Sequence, residues 1–177
     1  VCCVYGAGPI GLCVAGCLSY YGANRVIVIE ANPKRLDVAR QLGFTVIDAV
    51  QDDIRAKVAE HTNGRNADLA FDCAAHPSVH ATILDILRVQ GTSVVVGSYK
   101  KPPEVDLLKV EFKELTLIGT RVYTRRDFET AIAILQSGRI DFDKILTVAP
   151  PADAPQQFAN LLSGQTDAIK MLFQLGD

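Results

Sequence analysis

The chain has no tryptophan, one methionine and only 7% aromatic residues, so its core has to be built from aliphatic side chains. No apolar run approaches the ~20 residues that a membrane-spanning helix requires; stretches such as 26–29 and 94–96 reach only the length of a strand. Basic clusters are missing too, and the formal net charge is −2, which leaves no electrostatic footprint for nucleic acid. No charged-then-apolar leader opens the chain, so no signal peptide is visible. No Cys-x-x-Cys pair occurs among the five cysteines, Cys2, Cys3, Cys13, Cys17 and Cys73. An odd, irregularly spaced set is not a disulfide framework. These cysteines read as buried free thiols, because free cysteine packs as a small hydrophobe. They point to a reducing, cytoplasmic setting.

What is present is a globular composition: 49% hydrophobic and 21% charged over 177 residues, enough for one domain with a substantial core. Strand-like and helix-like segments alternate. Strands are expected at 1–5, 25–30, 45–48, 67–72, 92–97 and 115–119, where β-branched and aliphatic residues concentrate. Helices are expected at 9–21, 33–42, 52–61, 77–88 and 126–137, several of them bounded by proline at the start and glycine after the end. The first helix is apolar nearly all round and should be buried. Several strands are near-continuous aliphatic runs, the pattern of strands covered on both faces. The sum is an α/β protein with a doubly wound, parallel, six-stranded sheet. Near Ile140 the pattern breaks. The tail carries a proline-rich turn, a helix near 153–162 and a strand at 168–174, a helix-strand appendage. We therefore expect one domain at 1–140 and a distinct C-terminal segment at 141–177.

The sharpest local signal is "YGAGPIGL". Gly6, Gly8 and Gly11 match G-x-G-x-x-G, and they lie between a strand and a helix, the context this motif requires. Gly6 permits the tight turn, Gly8 lets backbone approach a pyrophosphate, and Gly11 lets the helix lie close to the sheet. Pro9 and Ile10 open the helix, whose first-turn amides and dipole favour an anion. Pro9 removes one of those amides but stiffens the helix start. Glu30 closes the second strand, about 20 residues further on, where an acid can accept both ribose hydroxyls of adenosine. A carboxylate there repels a 2′-phosphate and favours NAD over NADP. Arg35 could flank the adenosine, or relax that selectivity. A Rossmann-type dinucleotide site is the reading these residues support together.

Other constellations carry less. Cys73, His76 and His80 could suggest a metal, but no His-Glu-x-x-His motif accompanies them and His76 sits at a helix entrance. His76 is expected to line the cofactor cleft or to be solvated, and His80 to be an ordinary helix residue. Asp72 reads as a turn or cap acid rather than a base. No Tyr-x-x-x-Lys spacing occurs, which sets aside a short-chain reductase.

The segments "VYGAGPIGL", "VIVIEANPKRLDVARQLGF", "GRNADLAFDCAAHPSV", "VVVGSYKKP", "KELTLIGTRVYTRRDFETAIAILQSGRID" and "IKMLF" together resemble the zinc-dependent medium-chain alcohol dehydrogenase family, nearest its polyol, threonine and sugar-acid branch. The resemblance implies a longer parent in which a GroES-like catalytic domain precedes this chain and supplies the zinc ligands. It implies that 141–177 returns to that domain. It also implies that Cys73, Ala74, Gly97, Ser98, Thr120 and Arg121 line the nicotinamide side of the site. The expected parent reaction is hydride transfer between a secondary alcohol and NAD, with a small alcohol or ketone as substrate. This chain alone is expected to bind cofactor without turnover and to hold no zinc. Pairing across the strand that opens on Leu115 and closes on Gly119 is the expected route to a homo-oligomer. Two alternatives stay open: a stand-alone dinucleotide-binding or sensor module, and a zinc-free, quinone-reductase-like oxidoreductase of the same superfamily.

Overall fold

A computed structural model describes residues 1–176. Six strands form one sheet: β1 (Cys2–Tyr5), β2 (Val26–Glu30), β3 (Thr45–Asp48), β4 (Ala67–Asp72), β5 (Leu87–Val95) and β6 (Thr116–Gly119). Helices α1 (Pro9–Tyr20), α2 (Pro33–Gln41), α3 (Ile54–His61), α4 (Pro77–Ile86) and α5 (Leu107–Phe112) connect them. The strand order is β3-β2-β1-β4-β5-β6, and every pairing is parallel. This is the Rossmann order, in which chain direction across the sheet reverses between β1 and β4 and opens a crevice at the strands' carboxyl ends.

Side-chain alternation along β1 and β2 builds a core on each face, as the period of two dictates. Cys3, Tyr5, Ile27 and Ile29 pack with Ile47, Val58, Ile83 and Leu84 on one side. Val4 and Val28 pack with Leu12, Ala15, Ala39 and Phe44 on the other. Local chemistry sets the helix starts. The Asn32 side chain accepts the N–H groups of Lys34 and Arg35 at the start of α2, and Asp53 accepts from Ala56 at the start of α3. Such caps satisfy amides that have no partner within the helix.

Beyond β6, α6 (Arg125–Gln136) opens with a capping box between Thr124 and Asp127. A 3₁₀ turn at Phe142–Ile145 leads to β7 (Leu146–Ala149), then a second 3₁₀ turn at Pro151–Asp153, α7 (Ala154–Ser163) and β8 (Lys170–Phe173). Strands β7 and β8 pair in parallel as a separate two-stranded sheet. Ile140, Phe142, Ile145 and Leu146 pack into the α1-side core.

Several expectations need correction. Helix α1 is not buried all round. Gly11, Leu12, Ala15 and Gly16 face the sheet, whereas Ile10 is 57% and Tyr21 69% exposed. Cys13 is likewise exposed and Cys17 only half-buried. The sheet can cover one stripe of a helix, and an apolar opposite stripe does not create its own partner. Helix α4 stops at Ile86 rather than running to 88, and β5 starts at Leu87. There β5 is bent, with Gln90 at φ +59° and a register shift against β4 between Ala67 and Leu69. The tail contains a strand before its helix as well as after it, and α5 forms in a stretch for which no element was expected.

Candidate functional site

At the carboxyl ends of β1, β2 and β4 lies a cleft of about 480 Å³, within the size range of small-molecule sites. Gly6 and Gly8 form its floor. Glu30, Ala31, Arg35 and Ala49 line one wall, and Cys73, Ala74, His76, Ser78 and Val79 the other.

The glycine turn is shaped by sterics. Gly6 has φ +95° and its N–H donates to the Ile29 carbonyl at 2.8 Å. A Cβ on Gly11 would sit 1.8 Å from the Gly6 carbonyl oxygen, so helix and turn touch backbone to backbone. Gly8 is different: the nearest atom to its hypothetical Cβ is Arg35 Nη1 at 4.0 Å. The floor is therefore open where a phosphate would approach. Gly8 is also the N-cap of α1 and supplies no capping side chain, which leaves the first-turn amides of Ile10 and Gly11 available to an anion.

Glu30 is held rather than solvated. Its Oε2 accepts the Ala7 N–H at 2.7 Å, and its Oε1 accepts those of Ala31 and Asn32 at 2.7 and 2.9 Å. A carboxylate offers about four acceptor positions, so three N–H bonds fix it and leave capacity for a ligand hydroxyl. Arg35 Nη1 stands 4.0 Å from Glu30 Oε2, a loose pair that keeps the guanidinium over the floor. Burial pushes the Cys73 thiol up to about 12, with the Asp72 charge adding to the effect, so Cys73 is a neutral wall residue and not a nucleophile.

The structure thus gathers Gly6, Gly8, Glu30, Arg35, Cys73 and Ala74 around one cleft. Pro9, Ile10 and Gly11 support it from the start of α1. Gly97, Ser98, Thr120 and Arg121 lie outside its lining, at the ends of β5 and β6. Gly97 packs against Ala75, and the Thr120 N–H donates to the Val95 carbonyl at 3.0 Å. Cys73 and Ala74 line the same cleft as Glu30. Ala49, Ser78 and Val79 are wall residues with no signature in the sequence. His76 lines the cleft and caps α4, its Nδ1 lying 2.8 Å from Ser78 Oγ. His80 is buried, and neither ring nitrogen has a hydrogen-bond partner among the described residues. Among the described residues, no group of three or more His, Cys, Asp or Glu side chains could hold a metal, and no helix is long and apolar enough to cross a membrane.

A Rossmann sheet with a glycine turn and an acid at the end of β2 defines a dinucleotide-binding class of domain. The profile of the zinc-binding dehydrogenase family matches residues 9–137, and the chain belongs to that family. It is 33% identical over 172 residues to 2-dehydro-3-deoxy-L-galactonate 5-dehydrogenase of Pseudoalteromonas atlantica, which covers 97% of this chain and 50% of that protein. Among solved structures, an alcohol dehydrogenase from Escherichia coli CFT073 complexed with NADH superposes with a TM-score of 0.88 at 27% identity, over 99% of this chain and 52% of that one. The (2R,3R)-butanediol dehydrogenase of Bacillus subtilis gives the same TM-score and identity over 99% and 50%. The chain spans about half the length of these relatives.

Proposed function

We propose that this chain is the NAD-binding half of a zinc-dependent dehydrogenase that oxidises a secondary alcohol of the polyol or sugar-acid type. Bound NAD would supply the hydride acceptor. The chain's own residues do the positioning. The Ile10 and Gly11 amides and the α1 dipole receive the pyrophosphate above Gly8. Glu30 accepts the ribose hydroxyls, and Arg35 adds positive charge beside them. Gly97, Ser98, Thr120 and Arg121 extend the site toward the nicotinamide. The observation that carries this reading is Glu30, fixed by three backbone N–H groups at the edge of an open glycine floor.

The zinc ligands are assigned to the other half of a longer parent, because this chain spans about half the length of its relatives. The segment 141–177 would return to that part, and the exposed stripe of α1 would be covered on assembly. Edge strand β6, with Leu117 40% and Ile118 47% exposed, is the proposed contact for a homo-oligomer. Five free cysteines accord with a reducing cytoplasm.

Calorimetric titration of the chain with NADH and NADPH, for the wild type and Glu30→Ala, tests the proposal. The expected result is preference for NADH that falls at least about tenfold in the variant, the cost of a lost charge-assisted hydrogen bond. A folded wild-type chain that binds neither dinucleotide would refute it.

A further inference from the structure

Asp72, the last residue of β4, is fully buried and is the hub of the crevice wall. Its Oδ1 accepts the N–H groups of Ala74 and Ala75 at 3.1 and 2.8 Å. Its backbone carbonyl accepts those of Val96 and Gly97 at 3.0 and 2.8 Å. Its Oδ2 accepts the hydroxyl of Tyr99, from the loop after β5. The turn that Asp72 holds is under constraint from three directions. Ala75 has φ +50°, a conformation that a non-glycine residue keeps only when its surroundings impose it. Ala74 lies 3.4 Å from the position of a Cβ on Gly6, and Ala75 only 2.8 Å from that of a Cβ on Gly97. The wall formed by Cys73 and Ala74 is therefore wedged between the glycine turn and the β5 loop.

We propose that Tyr99 is a positioning residue for the dinucleotide: through Asp72 it sets the turn at 73–75 and so couples the β5 loop to the wall that faces Glu30. Tyr99 itself does not line the cleft. Desolvation and the hydrogen bond to Asp72 hold its phenol well above the usual tyrosine range, so it remains a donor across the range in which the protein would work. Without it, a fully buried carboxylate oxygen loses its side-chain donor, a costly state that the turn can relieve only by moving. This inference rests on the cofactor reading above and adds a residue to it.

The test is a double-mutant cycle on the 177-residue chain, reading the dissociation constants of AMP and NADH at a temperature where circular dichroism shows each variant folded. Tyr99→Phe is expected to weaken both ligands about tenfold, the cost of one lost hydrogen bond to a charged group. Asp72→Asn, made alone and added to Tyr99→Phe, completes the cycle; added to Tyr99→Phe it removes the unpaired charge and is expected to recover most of that loss. Such recovery is a coupling that mere loss of packing at residue 99 would not produce. Wild-type affinity in a folded Tyr99→Phe, or equal weakening in the single and double variants, overturns the inference. If Tyr99→Phe does not fold, the double variant decides: binding within about threefold of wild type supports the coupling, and a tenfold or greater loss overturns it. A wild-type chain that binds neither AMP nor NADH would instead bring down the cofactor reading on which this rests.

Discussion

The Glu30 carboxylate accepts the backbone N–H of Ala7 at 2.7 Å, joining the end of β2 to the glycine turn after β1. The same side chain that would meet the ribose therefore also splints the turn that would meet the pyrophosphate. Glu30→Gln separates these jobs poorly, because an amide has half the acceptor capacity and its NH₂ would face N–H donors. We expect the variant to lose about 1–3 kcal/mol of stability in urea unfolding. Stability equal to wild type would show that the bond to Ala7 carries no weight.

Gly11→Ala should be more damaging than its small size suggests. The new Cβ would meet a backbone oxygen at 1.8 Å, and neither backbone can swing aside as a long side chain would. Separation of α1 from β1 is expected to cost at least about 3 kcal/mol and to abolish dinucleotide binding. Gly8→Ala, with open space around its Cβ, should fold normally and lose affinity only. A thermal melt of the two variants in parallel distinguishes the roles.

Asp68 gives stability a pH dependence. In the 177-residue chain taken alone, hydrogen bonds from the Val1 ammonium and from Arg88 hold its carboxyl down at about 2; within a longer parent residue 1 would carry no ammonium and only Arg88 would act. A carboxylate depressed below its unfolded value, near 4, stabilises the fold above that value and loses the contribution as pH falls toward 2. Its side chain is 37% exposed, so solvent screening keeps the effect below about 1 kcal/mol. Melting temperatures of wild type and Asp68→Asn should differ at pH 5 and converge near pH 2. A gap that is independent of pH would contradict this assignment.

Among the described residues, strand β6 pairs only with β5, so its outer edge presents unpaired backbone groups beside Leu117 and Ile118. A lysine on such an edge opposes pairing with another strand. Ile118→Lys is expected to turn a self-associated chain into a monomer in sedimentation-velocity runs without changing its circular dichroism. Persistence of the oligomer would move the contact elsewhere, and the exposed stripe of α1 is the next surface to mutate.

The sheet was legible because its signals are local. Aliphatic strand runs, helix caps such as Asn32 and Asp53, and the glycine turn each declare themselves within a few residues. Alternation of Cys3 and Tyr5 against Val4 was compatible only with a strand covered on both faces. Misjudged boundaries fell where long-range geometry overrode propensity, as at Leu87, where pairing with Ala67 draws the chain into β5 instead of prolonging α4.

By itself the sequence determined most of the elements, that the sheet is parallel, and that the glycine turn of Gly6, Gly8 and Gly11 lies beside Glu30, because periodicity and turn chemistry act between near neighbours in the chain. Only the tertiary structure decided that Cys73 and Ala74 face Glu30, that His76, Ser78 and Val79 complete that wall, that Tyr99 reaches Asp72, and that one stripe of α1 stays uncovered. Those relations depend on strand order and on the close approach of loops distant in sequence. No local pattern encodes the distance between two such loops, which is set only when the whole sheet has packed.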